Sequence, residues 1–263
     1  MFTNKTIVLT GANGGIGSEI AKLLSKAGAT LVLVGLDETG LQQLNQQLGG
    51  LHHTIQADLS KSEDRGSIVT FCQHLKEGVD IVINNAGVGQ FSLFEDMDEN
   101  QISSIININL ISTMLLTQSL LPLLLTRPHA QIINIGSILG SIGFPGSSVY
   151  CASKFGIRGF TEALRRELMD TKISIRYFAP RATSTTINTD KVVAMNNELG
   201  TKMDTAQQVA IELVAFLKGD NPSQYLGWPE KLFVKINSVL PWIVDKSLSK
   251  KLPIIKRYLQ GGN

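Results

Sequence analysis

Tyr150 and Lys154 stand four residues apart in the stretch YCASK (150–154), so on a helix they share one face. A phenol loses its proton near pH ~10, too high for efficient exchange at neutral pH unless a nearby positive charge favours the phenolate. A lysine ammonium one turn away supplies such a charge. Ser137, thirteen residues upstream in NIGS (134–137), adds a hydroxyl at the end of an apolar run. The three together can do general acid/base work at an oxygen atom; by itself, a Tyr-x-x-x-Lys pair is usually a surface helix pair. Cys151, beside the tyrosine, reads as a small packing residue rather than a nucleophile.

A second stretch, TGANGGIG (10–17), places four glycines in eight positions between an apolar run and a helical one. Gly11-x-x-x-Gly15-x-Gly17 suits a tight turn followed by bare backbone N–H groups at a helix start, where the helix end adds partial positive charge. A pyrophosphate fits such a cradle, and Gly17 lets the helix lie close against a sheet. An ordinary tight strand-to-helix turn uses the same glycines, and the spacing differs from the common G-x-G-x-x-G.

The elements that must position these residues alternate regularly. Strands are expected over 5–10, 30–35, 51–58, 80–87, 130–137 and 172–180. Helices are expected over 15–27, 41–48, 62–76, roughly 98–125, and 148–169. Strands apolar on both faces, separated by helices, predict an α/β fold: a Rossmann-like, doubly wound parallel sheet with helices on both faces. No linker, repeat or low-complexity tract interrupts residues 1–263, which read as one domain.

The chain has 263 residues, 43% hydrophobic and 17% charged, which suits a globular protein with a sizeable core. No basic leader with an apolar stretch stands at the N-terminus, and STMLLTQSLLPLLL is judged too short and too polar to span a bilayer. Cys72 and Cys151 give neither a disulfide framework nor metal spacing, and His52-His53 reads as part of a strand or its flank. No metal is expected, and a reducing, cytoplasmic setting is the default. A net charge of +2 argues against nucleic acid as a partner. From residue 231 onward seven Lys/Arg face one acid, Asp245, so this tail carries +6 and residues 1–230 carry −4.

TGANGGIG, INNAG (83–87), NIGS and YCASK, in this order and spacing, resemble the short-chain dehydrogenase/reductase family from Lys5 to about Ala179. The resemblance implies an oxidoreductase that interconverts a carbonyl and an alcohol using NAD(P)(H). It implies that Tyr150 is the general acid/base, that Ser137 holds the substrate oxygen, and that Lys154 binds the nicotinamide ribose. The oxidised nicotinamide would join Lys154 in lowering the phenol's pKa. Asn109, in ININL, is implied to anchor a proton-relaying water; bracing a helix is the alternative.

Implied cofactor contacts are Gly11, Asn13, Gly15, Ile16 and Gly17 in the loop, and Leu36 and Asp37 after the second strand. Asp58 and Leu59 after the third strand, and Asn85, Ala86 and Gly87 after the fourth, complete the adenosine side. Asn85 has a purely structural role as its alternative. Tyr150, Lys154, Pro180, Thr183 and Thr185 fall on the nicotinamide side. Gly35 stands where an NAD-selecting acid usually sits, and Leu36 and Gly14 where NADP-selecting bases do. The missing acid tilts the expectation slightly towards NADP(H), while Asp37 reads better as a helix N-cap. After Pro180 the usual glycine is Arg181, either solvated or set to meet an anion at the cleft mouth.

Residues 186–203 fall where this family carries a mobile substrate lid, and 205–217 reads as an amphipathic helix. The basic, aromatic extension 225–263 is broken by Pro241 and Pro253 into short helices. It reads as a flap packed on the cleft, a dimer arm, or a peripheral membrane contact. The expected partner is a small, hydrophobic carbonyl or alcohol, in a homodimer or homotetramer. Rival readings are a 3-oxoacyl-thioester reductase and a non-catalytic dinucleotide-binding sensor or scaffold.

Overall fold

The computed structural model describes residues 2–185 and 188–260. Its centre is a seven-stranded, all-parallel sheet of β1 (Thr6–Thr10), β2 (Thr30–Gly35), β3 (His53–Gln56), β4 (Ile81–Asn84), β5 (Ala130–Ile135), β6 (Ile173–Ala179) and β9 (Ser223–Tyr225), in the order β3-β2-β1-β4-β5-β6-β9. A two-stranded parallel pair, β7 (Thr183–Ser184) with β8 (Asp204–Thr205), stands apart.

Strands such as TIVLT and IVIN are buried at every position, so both faces need cover. On one face Ile20, Ala21 and Leu24 of α1 (Gly15–Lys26) pack with Val209, Leu213 and Phe216 of α8 (Ala206–Leu217). On the other, Ile68 of α3 (Ser62–Gln73) joins Leu116, Leu120 and Leu124 of α5 (Ser112–Leu125) and Leu164 of α6 (Ser148–Glu167). Strand order reverses between β1 and β4, and a crevice opens there at the strands' carboxyl ends.

Several boundaries differ from expectation. The third strand shrinks to His53–Gln56. The fourth stops at Asn84, because the backbone N–H groups of Asn85 and Ala86 turn aside to the Thr10 hydroxyl, each at 3.0 Å. His52 lies beside its strand, its ring engaged with the Leu31 N–H and the Ser25 hydroxyl. Helix α2 (Glu38–Gln47) starts earlier than its apolar spacing indicated; Asp37 occupies the N-cap position but makes no side-chain cap bond. β9 was not anticipated: three residues long, it bears no periodicity of its own.

The expectation that no segment matches a bilayer span is corrected. Helix α4 (Glu99–Ile106), a π-turn (Asn107–Ile111) and α5 run on as one 27-residue helix, with a mean hydropathy of 1.6 over its most apolar window. Its apolar residues extend beyond α5 because the π-turn keeps the helical path unbroken. Leu116, Leu120 and Leu124 are fully buried against the sheet. Pro253 was also misjudged as a breaker: it lies inside α10 (Pro241–Gln260), while Pro241 opens that helix. A first-turn proline lacks an N–H that would be unpaired anyway.

Candidate active site

The glycine loop leaves β1 through Gly11, at φ +61°, a conformation that L side chains rarely adopt. A Cβ on Gly11 would stand 2.9 Å from the Ala86 Cα, and one on Gly15 2.9 Å from the Thr185 methyl. One on Gly17 would collide with the Gly11 carbonyl. The Asn85 amide pins the loop by donating to the Thr10 and Gly11 carbonyls, at 3.0 and 3.1 Å. This is the structural alternative for Asn85, although the residue also borders the main cavity. Gly14 caps α1 with no side-chain acceptor, and the first turn holds no acid. The helix's positive end therefore faces the cleft unscreened, as a phosphate requires.

Tyr150 and Lys154 lie on successive turns of α6, with the lysine Nζ 5.7 Å from the phenol ring centroid. Lys154 is buried and donates to the Ile135 carbonyl at 3.0 Å. Burial pulls its pKa down to about 8. Burial also pushes the Tyr150 phenol up to about 12, against the opposing pull of the Ser137 hydroxyl. In the protein alone the phenol thus shifts opposite to the expected lowering, with desolvation as the largest cause. Cys151 is buried, and desolvation raises its thiol, in keeping with a packing role.

Ser137 caps a short turn at the end of β5, its hydroxyl accepting from the Leu139 N–H at 3.1 Å. Its backbone is clamped by Tyr177, buried on β6, whose hydroxyl accepts from the Ser137 N–H (3.3 Å) and donates to the Ser137 carbonyl (3.1 Å). A Cβ on Gly136 would collide with the Tyr177 ring, so that glycine makes room for the clamp. Reading the sequence missed Tyr177: β6 also carries Ser174 and Arg176, so one more polar residue in that strand gave no local signal.

Asn109 sits in the π-turn, almost fully buried. Its amide accepts from the Val88 N–H and donates to the Val88 carbonyl, both at 2.8 Å, and donates to the Ser153 hydroxyl at 3.0 Å. Ser153 in turn donates to the Tyr150 carbonyl at 2.7 Å. These bonds suit a bracing role: one amide ties the exit of β4 to Ser153 of α6, three residues beyond Tyr150. A Cβ on Gly87 would lie 3.2 Å from the Asn109 Oδ1 and 3.5 Å from the Lys154 Nζ.

A cavity of about 740 Å³ unites most of the anticipated residues. Gly11, Gly15, Ile16 and Gly17 form one end, and Asn85, Ala86 and Gly87 its side. Ser137, Tyr150 and Lys154 line the middle, followed by Pro180, Thr183 and Thr185. The Thr183 hydroxyl is occupied by the Arg181 carbonyl at 2.8 Å. Asn13 and Asp37 line a separate cavity of about 230 Å³. Leu36 is exposed, and neither it nor Asp58 nor Leu59 borders either cavity. The Asp58 carboxylate accepts from the Ser60 N–H and hydroxyl, which holds its pKa low.

Arg181 is neither solvated nor free for an anion. It pairs with Asp204 at 2.6 Å and with Glu230 at 3.4 Å, the latter in the first turn of α9 (Glu230–Val239). Its Nε is buried without a partner among the described residues. The cavity roof was also unforeseen in detail. Phe233, Val244 and Leu248 from α9 and α10 close over it, while Val192 and Met195 of α7 (Asp190–Glu198) form another wall. Val234 and Val244 pack against Ile138 and Ile142, which anchors the helix pair beside Ser137. Within the anticipated lid, Thr186 and Ile187 lie outside the described residues.

Comparison with known proteins agrees with this architecture. Residues 5–196 match the short chain dehydrogenase family. The ketoacyl reductase HetN of Nostoc sp. is 33% identical over 93% of this chain and 88% of its own length. The 3-oxoacyl-(acyl-carrier-protein) reductase FabG of Rickettsia typhi is 34% identical over 68% of this chain and 73% of its own. A short chain dehydrogenase/reductase from Burkholderia phymatum, solved in complex with NAD, superposes with a TM-score of 0.82 at 20% identity, covering 90% of this chain and 94% of that one. With the parallel sheet, the glycine-built turn and the extent of these matches in agreement, the chain belongs to the short-chain dehydrogenase family of oxidoreductases.

Proposed function

We propose that this oxidoreductase reduces a hydrophobic ketone or aldehyde, or oxidises the matching alcohol, with Tyr150 as proton donor and acceptor. The observation that carries this reading is the cavity in which Ser137, Tyr150 and Lys154 stand beside an uncapped, glycine-lined helix N-terminus. Gly11, Gly15, Ile16 and Gly17 would hold the pyrophosphate of a nicotinamide dinucleotide. Ala86, Gly87, Pro180 and Thr185 would flank it, and Lys154 would meet its ribose. When bound, that group supplies or takes the hydride.

The chain's own residues manage the proton. A phenol with its pKa at about 12 is protonated at neutral pH, ready to be given to a carbonyl oxygen as negative charge develops there. The Ser137 hydroxyl holds that oxygen, an electrostatic role worth most in a water-poor cavity. Lys154, cationic at neutral pH, stabilises the phenolate left behind. Asn109 positions this group by joining Val88 to Ser153, whose hydroxyl donates to the Tyr150 carbonyl. Phe91, Ile142, Phe144 and Phe233 give the cavity apolar walls. On this reading residues 1–263 work as one catalytic domain, with 186–203 as its lid.

We further propose that NADP(H) binds at least as tightly as NAD(H). Gly35 offers no carboxylate, and the Asn13 amide fills the space where a side chain there would start. The Asp37 carboxylate sits back against Gly40 instead. Fluorescence titration with NADPH and NADH tests this, and a clear NADH preference refutes it.

A second reading, reduction of 3-oxoacyl thioesters, is favoured by the names of the relatives from Nostoc and Rickettsia typhi. Turnover of free ketones against acyl thioesters separates the two. For the chemistry itself, Tyr150→Phe should abolish turnover while leaving nucleotide affinity nearly unchanged. Retained activity removes Tyr150 from the mechanism, and absence of turnover in the unaltered protein with all these substrates favours a non-catalytic dinucleotide sensor.

A further inference from the structure

The α9–α10 pair has two apolar faces, and only one is packed. Inward, Val234 and Val244 are buried beside Ile138 and Ile142. Outward, Leu232 and Val239 lie seven residues apart on one face of α9, Trp228 stands just before its start, and Leu240 and Trp242 follow at the turn into α10. These five side chains are 66, 44, 75, 43 and 61% exposed. The same two helices carry Lys231, Lys235, Lys246, Lys250, Lys251 and Lys256 against one acid outside any ion pair, Asp245, and none of these lysines is in an ion pair among the described residues.

We propose that this face docks on an anionic lipid bilayer. Indole rings settle at the headgroup level, aliphatic side chains just beneath it, and lysines at the negatively charged surface. A second copy of the chain fits less well, since a two-fold contact would set this positively charged surface against itself. Trp228 and Lys251 also line the 740 Å³ cavity, so its mouth adjoins the docking face. An apolar substrate could then pass between bilayer and cavity; this consequence alone rests on the reaction proposed above.

The test is co-sedimentation of the full chain with phosphatidylcholine vesicles, with and without phosphatidylglycerol. Binding should require the anionic lipid, weaken as salt rises, and shift tryptophan emission to the blue. The double variant Val239→Ser/Trp242→Ser, altered only at exposed sites outside the cavity, should bind at least about tenfold more weakly. Its circular dichroism and its turnover of a water-soluble carbonyl should stay unchanged. Absence of binding to anionic vesicles, or equal binding by the variant, overturns the proposal. So does a dimer that the variant dissolves, which would assign the face to a second copy.

Discussion

Replacing Tyr177 by Phe removes one oxygen atom and tests how Ser137 is held. The Tyr177 hydroxyl is the partner of the Ser137 N–H, whereas the Ser137 carbonyl also accepts from the Gly140 N–H at 2.9 Å. The substitution therefore orphans one buried donor and leaves the carbonyl satisfied. An unpaired buried N–H costs about 1–3 kcal/mol, so a loss near 2 kcal/mol is expected. For a chain of this size that corresponds to a drop of roughly 4–8 °C in Tm. Urea unfolding of Tyr177→Phe beside the unaltered protein measures it directly, provided the slope is unchanged. Freed from its clamp, the turn carrying Ser137 should also let kcat fall by about tenfold while KM stays within roughly twofold, as expected of a group acting on the transition state. An unchanged urea midpoint would refute the clamp. A midpoint shift with kcat unaffected would make it structural only.

Two other perturbations follow from the site. Lys154 has its pKa lowered from 10.5 to about 8 by burial, so between those values the unfolded chain binds more protons and stability rises with pH. The stability advantage of Lys154→Met over the unaltered protein should therefore shrink by about 2 kcal/mol between pH 7 and pH 10, measured by urea unfolding; a pH-independent difference would contradict it. Gly17→Ala puts a methyl against the Gly11 carbonyl and should cost about 1–3 kcal/mol while weakening NADPH binding at least tenfold. Normal nucleotide affinity in a folded Gly17→Ala protein would detach the loop from cofactor binding.

Much of this protein is written locally. Alternating apolar runs and amphipathic stretches specify a parallel sheet with helices on both faces, because a strand apolar on both sides has no other way to leave water. The glycines of TGANGGIG and the spacing of Tyr150 and Lys154 were likewise visible, since a turn and a helix are properties of neighbouring residues.

Tertiary structure alone decided what depends on distant partners. Tyr177 reaches Ser137 because β6 pairs with β5 in the register that sets Tyr177 against Asn134. Arg181 is neutralised because Asp204 and Glu230 converge on it from separate elements. Asn109 braces Val88 across a loop, and desolvation shifts the proton affinities of Tyr150 and Lys154, the phenol's upward and the amine's downward, in the protein alone. A chain's own spacing fixes which groups lie on one helix face or strand; how far each group is removed from water, and which remote charge or carbonyl it meets there, is set only when the sheet closes.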